Sequence, residues 1–186
     1  MTFKPLLTLG LLVGCTPPET CSTDTADTGI QIGKISAECR CEDASFEFGS
    51  GDSSFQPISD GEDLTMIHGP QGGWHLWGSV RAANTRDVVK IRFTAVDVET
   101  QTTVVDVTNQ VALAMESDCV GVYTGMYGFL DVDSLASGEA DTPPELLCDH
   151  QLELSMTLTD SAGRHLVETR TVRAAPDEAD IDLCSS

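Results

Sequence analysis

Apolar and polar residues alternate with a period of two along most of this chain, and that period restricts the fold more than any other feature. Val89, Ile91, Phe93 and Ala95 alternate with Lys90, Arg92 and Thr94, and Leu152, Leu154, Met156 and Leu158 alternate with Glu153, Ser155 and Thr157. Successive side chains of a strand point to opposite faces, so each run reads as a strand with one dry face and one wet face. Val111, Leu113 and Met115 carry the same pattern more weakly. Further strands are expected over 44–48, 62–68, 74–82, 102–108, 120–130 and 164–173, divided by turn signals such as Ser59-Asp60-Gly61, Asn84-Thr85, Thr108-Asn109 and Ser161-Ala162-Gly163. Many short strands at this spacing point to an all-β, antiparallel β-sandwich of the immunoglobulin-like kind. No cysteine pair flanks Trp74 or Trp77 as in an antibody domain, so that expectation concerns architecture alone. Residues 131–148, with Leu135, Pro143-Pro144 and Leu146-Leu147, interrupt the alternation and predict a short helical turn.

The amino terminus has a different character. Lys4 precedes a short apolar run, Leu6 to Val13, and Leu12-Val13-Gly14-Cys15 places small residues directly before a cysteine. The run falls well short of the ~20 residues a membrane-spanning helix needs. The segment resembles the lipobox of bacterial lipoproteins. That resemblance implies that residues 1–14 are a signal peptide removed on export and that Cys15 becomes the lipidated amino terminus. Residues 15–37, rich in Thr, Ser, Asp, Pro and Gly, hold almost nothing that could be buried and read as a flexible, disordered tether. Residues 38–186 remain for one disulfide-bonded domain. Thr16, rather than Asp, after the lipidated cysteine is similar to lipoproteins passed to the outer membrane, where this one would face the periplasm or the cell surface. Phe55-Gln-Pro57-Ile-Ser-Asp60-Gly61, with Leu64 and the Gly69 to His75 segment, is similar to a stretch of exported bacterial lipoproteins with no known activity.

Ten Lys and Arg against 30 Asp and Glu give a formal charge of −20, and Lys4 belongs to the leader. Such a surface repels phosphate backbones and anionic headgroups, which argues against nucleic acid as a partner and leaves lipid on Cys15 as the contact with the bilayer. With Cys15 committed, Cys21, Cys39, Cys41, Cys119, Cys148 and Cys184 remain, an even number that favours disulfides in an exported chain. Cys119 and Cys148 bracket the irregular stretch and are expected to pair. Cys184 would tie the domain ends together by pairing with Cys39 or Cys41. Cys39-Arg40-Cys41 is too tightly spaced for a zinc site, and no second pair or histidine cluster would complete one.

Residue types capable of chemistry concentrate in Met66-Ile-His68-Gly-Pro-Gln71-Gly-Gly-Trp74-His75-Leu-Trp77. A four-residue loop over 70–73 would set His68 directly across from His75 and Met66 opposite Trp77, an arrangement of imidazoles and thioether suited to copper. Read without metal, the same stretch offers Gln71, Trp74 and Trp77 as a contact surface for an envelope protein. Asp131-Val-Asp133-Ser134 is a fragment of a calcium loop, but Leu135 holds the next ligand position and no glycine or distal glutamate follows at the right distance, so it reads as a solvated acidic loop. Asp97-Val-Glu99 and Asp177-Glu178-Ala-Asp180 read as exposed turn and tail charges, and His150 and His165 as surface histidines. Gly51-Asp52-Ser53 lacks the flanking glycine of a nucleophile elbow, and no nucleophile, base and orienting group can be named together. The expectation is a non-enzymatic, membrane-anchored envelope module, with a periplasmic copper-binding protein using His68, His75 and Met66 as the alternative.

Overall fold

The computed structural model describes residue 39 and residues 42–70, 72–136 and 142–185. Ten strands follow one another: β1 (Ser45–Ser50), β2 (Gln56–Pro57), β3 (Asp63–His68), β4 (Trp74–Ala83), β5 (Val88–Asp97), β6 (Thr103–Ala112), β7 (Ala114–Ser117), β8 (Val120–Phe129), β9 (Gln151–Asp160) and β10 (His165–Pro176). A short helix, α1 (Pro143–Leu147), interrupts them after β8, and a 3₁₀ segment, Glu178–Ser185, ends the chain. α1 lies inside the irregular stretch that predicted it. Glu145 reaches back to the residue before the helix, its carboxylate accepting the Thr142 N–H at 2.6 Å, and prolines occupy the helix's first positions, where a missing N–H costs nothing.

The strands form one curled, mixed sheet whose two halves face each other. One half runs β2-β1-β4-β8-β7 and the other β3-β10-β9-β5-β6, and β3 belongs to both. Its residues 67 and 68 pair with β4, while residues 63–66 pair with β10. The β3–β10 ladder is parallel, with Asp63 opposite Arg173 and Met66 opposite Pro176. The antiparallel expectation is corrected here. Alternation reveals which face of a strand is dry but not which way its neighbour runs, and the first strand of this half enters beside the last. Arg173 grips Asp63 through two nitrogens at 2.7 Å each and fixes that register.

The two strongest alternating runs behave as their pattern requires, whereas the expected strand through Val111, Leu113 and Met115 is split between β6 and β7. Val89, Ile91, Phe93 and Ala95 of β5 and Leu152, Leu154, Met156 and Leu158 of β9 are buried, with Ile91 opposite Leu158 and Phe93 opposite Met156. Phe48, Leu76, Val80 and Met126 close the core from the other half, and Phe48 meets Phe93 edge-on at 5.6 Å. The Phe93 ring lies against two bare glycines: a Cβ on Gly128 would come within 2.6 Å of it and one on Gly78 within 3.0 Å. A methyl group there would force the ring out of the packed centre. The turn expected at Thr108-Asn109 is absent, because β6 runs straight through it. The break falls instead at buried Leu113, between β6 at one edge and β7 at the other half's edge.

Two disulfides are described, Cys39–Cys119 and Cys148–Cys184. Neither matches the expected pairing of Cys119 with Cys148, or of Cys184 with Cys39 or Cys41. Strand order explains both. Ser45 at the start of β1 pairs with Ala83, which pairs in turn with Val120, so a cysteine ahead of β1 arrives at the β7–β8 turn. Gln151 pairs with Arg173, so the segment after β10 emerges beside α1. Cys15, Cys21 and Cys41, with the expected signal peptide and tether, lie outside the described residues.

Candidate functional site

The loop joining β3 to β4 determines what this end of the molecule can do. Gly69 donates its N–H to the Gly73 carbonyl at 2.9 Å, and Gly72 donates to the Gly69 carbonyl at 3.0 Å. Gly72 and Gly73 both have φ of 82°, a left-handed conformation that glycine adopts without steric cost. The loop therefore contains five residues, 69–73, rather than four. His68 pairs with Trp74, and His75 with Ile67. Because side chains alternate, this difference of one residue puts His68 and His75 on opposite faces.

His68 and Trp74 fall on the inner side with Met66 and Leu76. Their rings stack at 4.5 Å, 24° from parallel. Asp180 of the 3₁₀ segment clamps both: its Oδ2 accepts the Trp74 Nε1–H at 2.7 Å, and its Oδ1 lies 3.2 Å from His68 Nδ1. Met66 is completely buried in the core. The expected copper set is thus taken apart, with Met66 enclosed, His68 committed to Asp180 and His75 on the other face. Among the described residues no group of three or more His, Cys, Asp or Glu could hold a metal ion. Trp74, offered as a contact residue, is tied to the chain's own carboxyl-terminal segment, and Gln71 lies outside the described residues.

The outer side is built differently. His75 and Trp77 of β4 stand beside Phe129 and Tyr127 of β8, His75 opposite Phe129 and Trp77 opposite Tyr127. Trp77 and Tyr127 are 4.4 Å apart between ring centres, His75 lies 4.5 Å from Trp77 and 4.8 Å from Tyr127, and Tyr127 and Phe129 stack within 13° of parallel. Phe129 is 63% exposed and Tyr127 49%, whereas His75 beneath them is 4% exposed. Burial pushes the His75 pKa below its ordinary value, and its Nε2 has no hydrogen-bond partner. The rings and the glycine loop enclose a hollow of about 400 Å³ that also reaches Ile67, His68 and Pro70. Trp77 thus stands on the outer side, as the contact-surface reading requires. Tyr127 and Phe129 were missed as its neighbours, although their alternation with Met126 and Gly128 is the signal that would have found them.

Two other expectations change. Asp97 is buried, not a solvated turn charge: it accepts the N–H groups of Glu99 and Thr100 and the Thr100 hydroxyl, and His150 Nδ1 lies 3.1 Å away. Burial alone would raise the Asp97 pKa, but these partners outweigh it and hold the carboxylate below its ordinary range. Asp180 is buried likewise. The turn's own N–H groups hold the Asp97 carboxylate inside, the Trp74 indole and His68 imidazole hold that of Asp180, and composition reveals neither. Asp131, expected in a solvated acidic loop, is exposed and accepts the Asp133 N–H at 3.2 Å in a local turn.

No protein-family model matches the chain, and no curated protein matches it. Among solved structures the chain is similar to the CooA pilin subunit from enterotoxigenic Escherichia coli, at 13% identity over 71% of this chain and 98% of that one, with a TM-score of 0.35.

Proposed function

We propose that this is an exported lipoprotein, anchored through Cys15 at the bacterial outer membrane, whose immunoglobulin-like domain is a non-enzymatic binding module for an envelope partner. The strand order supports the immunoglobulin reading. β1-β4-β8-β7 corresponds to the order A-B-E-D of such sandwiches, and β10-β9-β5-β6 to G-F-C-C′. The disulfides differ, since neither bridges the strands equivalent to B and F. The lipobox resemblance supports the anchor.

The observation that carries the binding assignment is the outward aromatic face of Trp77, Tyr127 and Phe129. Two large rings stand about half-exposed or more on regular strands of a chain with charge −20. Folding gains little from rings left in water, and clustered exposed aromatics mark contact surfaces. A photocrosslinking amino acid at position 129, installed in cells, should give a discrete adduct that Trp77→Ser abolishes, while the same probe at exposed Val167 gives none. Identical adduct patterns at the two positions would refute the contact surface. Incorporation of a labelled fatty acid that Cys15→Ala eliminates tests the anchor.

A further inference from the structure

We propose that the hollow bordered by His75, Trp77, Tyr127 and Phe129 binds a small quaternary ammonium cation that carries no anionic group of its own. The inference rests on reading this face as the contact surface and assigns its ligand chemistry. The negatively charged faces of Trp, Tyr and Phe rings attract an alkylated ammonium, whose hydration is weak enough to be shed against them. Trp77, Tyr127 and Phe129 supply three such rings at one place.

The charges around the site agree. Of the described residues lining the hollow none is Lys, Arg, Asp or Glu, so the rings and the field of a chain with formal charge −20 set the preference there. That field concentrates cations at the surface and repels anions, so choline should be favoured over glycine betaine or a phosphocholine lipid, both of which carry a fixed negative group. His75, the ring nearest the floor, adds no opposing charge, because burial keeps its imidazole neutral. A sugar ring would also stack on these residues but requires several fixed polar partners for its hydroxyls. Nδ1 of His68 is already engaged by Asp180 and Nε2 of His75 is sealed from solvent, and the described lining offers no carboxylate or carboxamide to hold a sugar's hydroxyls besides the Tyr127 hydroxyl and the Trp77 indole N–H. At about 400 Å³ the hollow sits at the small end of ligand cavities, ~300–1,000 Å³, which suits a headgroup-sized molecule.

The test is calorimetric titration of the full-length protein in detergent with choline chloride. The control is 3,3-dimethylbutan-1-ol, a neutral molecule of the same shape. Saturable binding of choline, about tenfold tighter than the neutral analogue and weakened about tenfold by Trp77→Leu, is the expected result. Phe129→Leu, at a position exposed enough to leave the fold intact, should weaken binding several-fold, and betaine should bind less well than choline. Equal binding of choline and the neutral analogue would overturn the proposal, as would no saturation or insensitivity to both variants while the circular dichroism spectrum is unchanged. If choline fails while the crosslink from position 129 persists, the cation assignment falls and the contact surface stands; if both fail, both fall.

Discussion

His68 and His75 occupy neighbouring strands at the same end of the sheet, each beside a tryptophan, yet they meet opposite fates. His68 and Trp74 turn to the inner side, where Asp180 engages both rings. His75 and Trp77 turn outward beneath Tyr127 and Phe129, where the imidazole is buried, keeps an unpartnered nitrogen and is kept neutral by its surroundings. The residue types are nearly the same, and the parity of a five-residue loop separates them. On the inner side the Trp74 Nε1–H and His68 Nδ1 both meet Asp180, which is how a fold fastens its own end. On the outer side polar satisfaction is incomplete and apolar rings are left in water, which is how a surface prepared for something else looks.

The comparison breaks most severely if the clamp that closes the inner side is released. Cys148–Cys184 tethers the 3₁₀ segment that carries Asp180, across 36 residues of chain. Chain-entropy reasoning assigns such a crosslink about 3–4 kcal/mol. Replacing both cysteines by serine should therefore lower unfolding free energy by about that much, measured by urea denaturation, and should expose Trp74 to quenchers without altering Trp77. Asp180→Ala is the next largest effect. It strands the Trp74 Nε1–H in a partly buried position, a loss of about 1–3 kcal/mol. If both variants unfold like the unaltered protein, the inner side is not the structural one.

The outer side sharpens the contrast through pH. Burial lowers the His75 pKa from its ordinary 6.5, so the unfolded chain takes up a proton there more readily than the folded chain does. The stability this neutral histidine preserves is full above about pH 6.5 and is lost progressively as the pH falls below it. His75→Phe should remove that part of the acid sensitivity, seen by comparing denaturation at about pH 7.5 with about pH 5. At neutral pH it should leave stability unchanged or slightly raised, because it removes a buried polar atom that has no partner. An equal loss of stability at both pH values would mean that the imidazole makes a structural contact.

The strands were readable from period two because Phe93, Leu154 and their neighbours must be buried at every second position for the domain to fold. α1 was readable from its prolines and from the failure of alternation around it. Direction was not readable: no local property of Asp63 to Met66 reports that β10 runs parallel beside them. Cysteine pairing followed from strand order and could not precede it. At the candidate site the glycines announce a turn, and of the two tryptophans expected at the contact surface Trp77 stands on the outer side and Trp74 on the inner one. The partner of His68 was decided by one residue of loop length, which hydrogen bonds among Gly69, Gly72 and Gly73 set and which composition leaves open. Tyr127 and Phe129 come from a strand fifty residues away, so the complete aromatic face existed only once β4 and β8 were paired.

The smallest expected effect on stability is also the one that most directly separates the two sides. Phe129→Ser removes a ring that is 63% exposed and stacks on the half-exposed Tyr127 ring, with buried His75 farther off. Substitutions at such positions usually change folding free energy by about 0.5 kcal/mol or less, so its denaturation midpoint should coincide with that of the unaltered protein. Association through the outer face should nevertheless fall, because the same ring is central to the surface offered to a partner. A residue that matters for binding and not for folding is the signature expected of the outer side and forbidden on the inner one, where Trp74→Ser should reduce stability by several times as much. If Phe129→Ser instead unfolds the domain, the aromatic cluster is a misplaced piece of core, and the difference between the two sides is one of packing alone.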